Sequence, residues 1–179
     1  MLSIAPSTAQ PDPSPVSTSV LKPEIVTALD KSGIYISPVL QPDVNQRQIA
    51  ATLRKAHTPT RVLLLEKLPT GVASIRQLAK AVHGEGHSRN DLVVVVTERP
   101  RSIVAYGAGL DGETLQQIVA APAKTFDAEG YAAGIAQIVR LVDQEHTNRR
   151  ATNIRFAVLT VGSALALAIL FMRCRKRNA

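Results

Sequence analysis

Apolar and polar residues follow two rhythms along this chain, and the rhythms mark out its elements. Four segments are short and rich in β-branched or aliphatic residues: 33–37 (GIYIS), 61–66 (RVLLLE), 91–97 (DLVVVVT) and 102–106 (SIVAY). Prolines or charged turns bound them, so each predicts a strand. The four consecutive valines of the third leave it no polar face, which predicts a central strand buried on both sides. Elsewhere apolar residues recur every three or four positions, the spacing that lines one face of a helix. This predicts a helix over PEIVTALDKSG with Gly33 as its stop, and a second over 43–57 with Asp43 as N-cap. In that second helix Ile49, Ala50, Leu53 and Ala56 share a face. A third helix is expected over ASIRQLAKAVHG and a fourth at about 112–121. A fifth is expected at about 128–145, with Ile135, Ile138, Val139 and Val142 on one side.

Strands separated by helices of this length imply right-handed parallel crossovers. The short link at Arg99-Pro100 instead makes the last two strands an antiparallel hairpin. The expected fold is therefore α/β: a small mixed four-stranded sheet, three strands parallel and one antiparallel at the edge, between helices. No internal repeat interrupts this order.

The two ends break the pattern. Residues 6–18 are rich in Pro, Ser and Thr without apolar periodicity, so 1–21 reads as a disordered leader. It lacks a basic n-region and a long apolar h-region, yet APSTAQ has the small-residue character of a cleavage site. The front part of an export signal is thus expected to be missing. At the other end, 156–172 (FAVLTVGSALALAILFM) is 17 residues without a charge. It is apolar all round rather than striped, which places a transmembrane helix at 154–172. A folded domain over 22–146, a polar juncture at 147–153 and a basic tail at 173–179 complete the organisation.

Charge sharpens the membrane reading. The formal net charge is +7, but all 14 acidic residues precede residue 151. Arg155, Arg173, Arg175, Lys176 and Arg177 flank the apolar segment and supply five of the seven positive charges. The excess marks a membrane flank, not a nucleic-acid surface, and no basic stripe with interleaved aromatics exists. Positive charge favours the C-terminal tail in the cytoplasm, with the domain outside it. The alternative is a tail-anchored protein facing the cytoplasm. Cys174 is the only cysteine, so no intramolecular disulfide or cysteine-pair metal site can form.

Three motifs suggest chemistry. HGEGH offers His83, Glu85 and His87, and on a continuous helix the two histidines would share a face as zinc ligands must. Gly84 and Gly86 weaken such a helix, which favours a helix-to-strand loop. The carboxyl ends of the parallel strands would present Ser37, Glu66, Thr97 and Glu98, with Asp43 nearby. In open α/β sheets ligands bind outside those ends. Asp43, Glu66 and Glu98 are therefore oxygen-ligand candidates for Ca2+ or another divalent cation, unless their charges are solvated or paired with Lys67 and Arg99. GAGLDG matches G-x-G-x-x-G at Gly107, Gly109 and Gly112, but it follows the hairpin's edge strand rather than opening a βαβ unit. There it reads as a tight strand-to-helix turn capped by Asp111. No G-x-S-x-G elbow or Cys-His pair supports a nucleophile.

NDLVVVV at Asn90-Asp91, the GAGL element at Gly107-Ala108-Gly109-Leu110, and FDAEGYAAGI from Phe126 through Tyr131 to Gly134-Ile135 resemble the TPM domain family. VTALDKSGIYISPVL and RVLLLEKLP are similar to its shorter members with a single membrane anchor, so the resemblance covers about 22–145. It implies a mixed sheet between helices, displayed outside the cytoplasm or in a plastid lumen. Roles proposed in the family include acid phosphatase activity, help in photosystem II repair and modulation of membrane receptors. Some members bind a divalent cation through acidic residues. Here the early acidic motif is replaced by Ile34-Tyr35-Ile36-Ser37, with Asp43 nearby. The expected role is a non-catalytic interaction or accessory domain at the membrane, without a resident cofactor. Its partners are the bilayer, through 154–172, and other membrane proteins. A metal-assisted phosphatase is the alternative.

Overall fold

The structure, a computed structural model, describes residues 21–84 and 90–151. The segment at 154–172, its basic flanks and most of the leader lie outside the described residues. So do Glu85 and His87. The chain divides into two compact units, one of Met1–Asp43 with Thr60–Gly112 and one of Val44–Pro59 with Glu113–Ala179.

The first unit holds the whole sheet. α1 (Pro23–Ser32) leads into β1 (Ile34–Ile36), and β2 (Thr60–Leu65), α3 (Ile75–Gly84), β3 (Leu92–Glu98) and β4 (Arg101–Gly107) follow. The strand order is β1-β2-β3-β4. β1 and β2 run parallel, as do β2 and β3, from Thr60 opposite Leu92 to Leu65 opposite Thr97. β4 returns antiparallel to β3, from Glu98 opposite Arg101 to Leu92 opposite Gly107. The mixed four-stranded sheet is the one expected from the sequence. β3 is buried from Leu92 to Thr97, as an unbroken valine run at the centre of a sheet requires.

Period-two alternation sorts the strand residues onto the two faces. Leu63, Leu65, Val93 and Val95 meet Ile25 and Leu29 of α1 and Leu78, Ala79 and Val82 of α3 in one apolar cluster. Each such side chain contributes about 1.5–3 kcal/mol on full burial. Val62, Leu64, Val94 and Val96 point the other way and are equally withdrawn from water. α1 stops where the sequence indicates: Gly33 takes φ 69° and donates its N–H to the Leu29 carbonyl at 2.8 Å.

The second unit is helical. α2 (Gln46–Lys55) is capped by Asn45, whose side chain accepts from the Gln48 N–H at 3.1 Å. The expected cap, Asp43, instead ends a short 3-10 turn, Gln41–Asp43. The reason lies in Val44 and Ile49. Both are buried, at the positions of a hydrophobic staple, and that staple fixes the intervening Asn45 as the cap. α4 (Gly112–Ala120) carries buried Leu115. The expected single last helix is in fact two: α5 (Ala123–Glu129), and α6, helical from 131 to 151. Gly130, at φ 83°, separates them. α6 buries Ala132, Ile135, Ile138, Val139 and Val142 at helical spacing, and it continues past 147, where a polar juncture was expected.

Candidate functional site at the carboxyl edge of the sheet

A sheet whose strand order reverses opens a crevice at the reversal, and ligands bind there. Here the order β1-β2-β3-β4 never reverses. The sheet therefore has no switch point at its strand ends.

The individual side chains agree. Glu66, just beyond β2, lies 3.6 Å from the Arg99 guanidinium. Glu98, at the end of β3, takes a two-pronged bond from Arg101 at 3.0–3.2 Å. Of the two partners expected from the sequence, Arg99 does pair, with Glu66, while Glu98 is held by Arg101 from the same hairpin. Thr97 is buried and donates its hydroxyl to the Pro100 carbonyl at 2.9 Å, so it closes the hairpin. Asp43 is exposed in its 3-10 turn. Among the described residues no group of three or more His, Cys, Asp or Glu could hold a metal ion.

What the strand ends do form is a groove of about 380 Å³. Ile25, Leu65 and Leu68 give it an apolar lining. Tyr35, Ser37, Glu66, Lys67, Thr70 and Lys22 supply its polar groups. The Ser37 N–H donates to the Leu64 carbonyl at 2.8 Å. This extends β1 by one residue and puts Ser37 on the face of Tyr35. Burial, and then the Glu24 carboxylate, push the Tyr35 hydroxyl above its ordinary pKa of 10.0, so it stays protonated. Lys67 stands in no ion pair among the described residues. A mixed groove of this kind holds a ligand by contact and hydrogen bonding. Among the described residues that line it, Glu66 is the one carboxylate. Of these residues, sequence reasoning had picked Ser37 and Glu66. Tyr35 was within reach, being two positions before Ser37 in an alternating strand. Lys22 and Thr70 were not, since Lys22 arrives at the start of α1 and Thr70 on the loop after β2.

The two glycine-bearing motifs meet each other. His83, near the end of α3, stacks edge-to-face on Tyr106 of β4, with centroids 5.2 Å apart and planes at 74°. Gly107 backs onto the same imidazole and onto the Asp91 carbonyl so closely that no Cβ would fit. The His83 Nε2 is enclosed, with no hydrogen-bond partner among the described residues. Gly107, Ala108 and Gly109 take φ 93°, 56° and 62° in succession. GAGLDG is therefore the tight turn expected of it. His83 packs against that turn.

In the second unit Asp143 of α6 makes a knot. It accepts from the His57 and Thr58 N–H groups, each at 3.1 Å, and from the Thr58 hydroxyl at 2.8 Å. An open groove of about 460 Å³ beside it is rimmed by Lys55, His57 and Arg140.

No family model matches the chain, and no curated protein matches it. Three chains among the solved structures do. One is the solution NMR structure of the N-terminal domain of a protein from P. gingivalis. It is 22% identical, has a TM-score of 0.46, and the match covers 70% of this chain and 90% of that one.

Proposed function

We propose that this chain is a TPM-type domain held at a membrane by one C-terminal helix, working there as a non-catalytic interaction module. The observation that carries the reading is the charge-free segment 156–172 with its basic flanks. Among the described residues no helix is long and apolar enough to cross a membrane, so 154–172 is the segment on which anchoring rests. The positive tail favours a domain outside the cytoplasm.

Two further observations support it. The TPM-like motifs have structural work to do: GAGL makes the turn after β4. Phe126 and Tyr131 stack edge-to-face at 6.4 Å and 79°, with Gly134 leaving room for the Phe126 ring. At the strand ends, Glu66 and Glu98 are each paired with an arginine, which takes up the charge a metal would need. The mechanism is display. An anchor confines the domain to a surface and raises its effective concentration near partners there.

The catalytic alternative has a direct test. Full-length protein in mild detergent is incubated with a phosphate ester and calcium, magnesium or zinc. No turnover is expected beyond that of the Glu66→Ala, Glu98→Ala double variant. Turnover that the double substitution abolishes would contradict the non-catalytic reading.

A further inference from the structure

β4 is the outer strand of the sheet, paired on one side only, with β3. An outer strand presents a row of backbone donors and acceptors, and proteins guard such rows with lysine, proline, bulges or very short strands. β4 is seven residues long, RSIVAYG, in unbroken register with β3. It contains no lysine, proline or bulge. α3 packs on its face, where Val104 and Tyr106 join the core. Among the described residues no strand covers its edge.

The phase of the ladder tells which backbone groups face outward. The Ala108 N–H donates to the Asp91 carbonyl at 2.8 Å, which makes Leu92 and Gly107 a non-hydrogen-bonded pair. By alternation Tyr106, Val104 and Ser102 bond to β3. The N–H and C=O groups of Ile103 and Ala105 then point away from the sheet.

We propose that this edge pairs with the same edge of a second copy, β4 against β4, antiparallel about a two-fold axis at Val104. A two-fold interface must be self-complementary, and this one is, in three respects. Val104 on the axis bonds inward to β3, so it can face its own copy as a non-hydrogen-bonded pair. Ile103 then meets the partner's Ala105 on each side of the axis, and each such pair exchanges two backbone bonds. The only charged side chain of β4, Arg101, is held by its own Glu98 at 3.0 Å and falls opposite Gly107, so no like charges oppose. Two four-stranded sheets become one of eight strands. This names a partner for the interaction role proposed above and rests on that reading.

The test uses the full-length chain in membranes, with Cys174→Ser removing the only cysteine. At a non-hydrogen-bonded pair the Cα atoms lie about 4.5 Å apart, within the roughly 4.4–6.8 Å that a disulfide spans. Val104→Cys is therefore expected to give a covalent dimer on mild oxidation. Ser102→Cys is the control on the same strand. Its two copies sit four residues out of register, about 14 Å apart, and no dimer is expected. Adding Ile103→Pro to Val104→Cys removes an outward N–H and leaves the β3 ladder intact. It is expected to abolish the dimer while the circular dichroism spectrum stays that of the parent. Equal crosslinking at 102 and 104, or none at either, overturns the proposal. A crosslink from 104 to a different protein overturns it too, in favour of an extended partner chain. Alkaline extraction of the same membranes keeps the two readings apart: chain that extracts as soluble but still crosslinks through Val104 contradicts the anchor and supports the pairing.

Discussion

Replacing Asp143 by alanine removes three hydrogen bonds at once, to the His57 N–H, the Thr58 N–H and the Thr58 hydroxyl. All three lie just past the end of α2, and the residues joined are 85 and 86 apart in sequence. Net values near 1 kcal/mol per bond suit a half-exposed carboxylate, so Asp143→Ala should cost about 3 kcal/mol. That is a large share of the roughly 5–15 kcal/mol that holds a domain folded. Asp143→Asn keeps one oxygen for Thr58 and turns a donor toward the His57 N–H, for about 1–2 kcal/mol. Thr58→Ala removes the hydroxyl's bond to Asp143 and leaves both backbone bonds to it, for about 1 kcal/mol. The assay is urea unfolding of the full chain in mild detergent, followed by far-ultraviolet circular dichroism because the chain has no tryptophan. The expected order of loss is Asp143→Ala, then Asp143→Asn, then Thr58→Ala. An Asp143→Ala variant within about 0.5 kcal/mol of the parent, the range of an ordinary surface change, would mean that these bonds do not hold the fold together.

The Tyr35 hydroxyl titrates above 10.0 in the fold, so its contribution to stability is complete below the unfolded value and is lost as pH rises through the folded one. The thermal midpoint should fall above pH 10, and Tyr35→Phe should flatten that fall; an unchanged alkaline slope contradicts the assignment. Gly107→Ala meets both a positive φ and the Asp91 carbonyl, at about 1–3 kcal/mol for the backbone and about 1–3 for overpacking. Gly84→Ala, with open space around it, should instead stabilise by about 0.4–1 kcal/mol, and denaturation curves of the pair will show the opposite signs. Gly134→Ala puts a Cβ into the Phe126 ring and should destabilise. Phe126→Leu should recover part of that loss in the double variant, and strict additivity would contradict the contact.

The sheet was legible because its signals are local and strong. LVVVV can satisfy water on neither face, GIYIS ends at Pro38 and RVLLLE lies between Pro59 and Pro69, and a short link can only turn a strand back. The helix boundaries were less so. Asp43 and Asn45 are both good caps, and burial of Val44 and Ile49 chose between them. Pro122 and Gly130 each punctuate the chain, yet only the packing of Phe126 on Gly134 reveals a short helix before α6. The site was the least legible part. Glu66 and Glu98 are visible as strand-end charges, but their arginines come from a hairpin whose geometry sets the pairing. His83 and Gly107 were both singled out. Their contact joins α3 to the end of β4, and no motif encodes it. The groove needs Lys22 and Thr70, brought together by chain segments distant in sequence.

Anchoring of this domain at a membrane rests on residues 156–172. Alkaline carbonate extraction of membranes from cells making the full chain, or its Ala164→Arg, Leu165→Arg variant, tests it most directly. A charge at mid-span costs roughly 2.5–3.5 kcal/mol per arginine. The parent is expected to stay in the pellet and the double variant to be released. A parent chain recovered in the supernatant, or a double variant retained as fully as the parent, would contradict it.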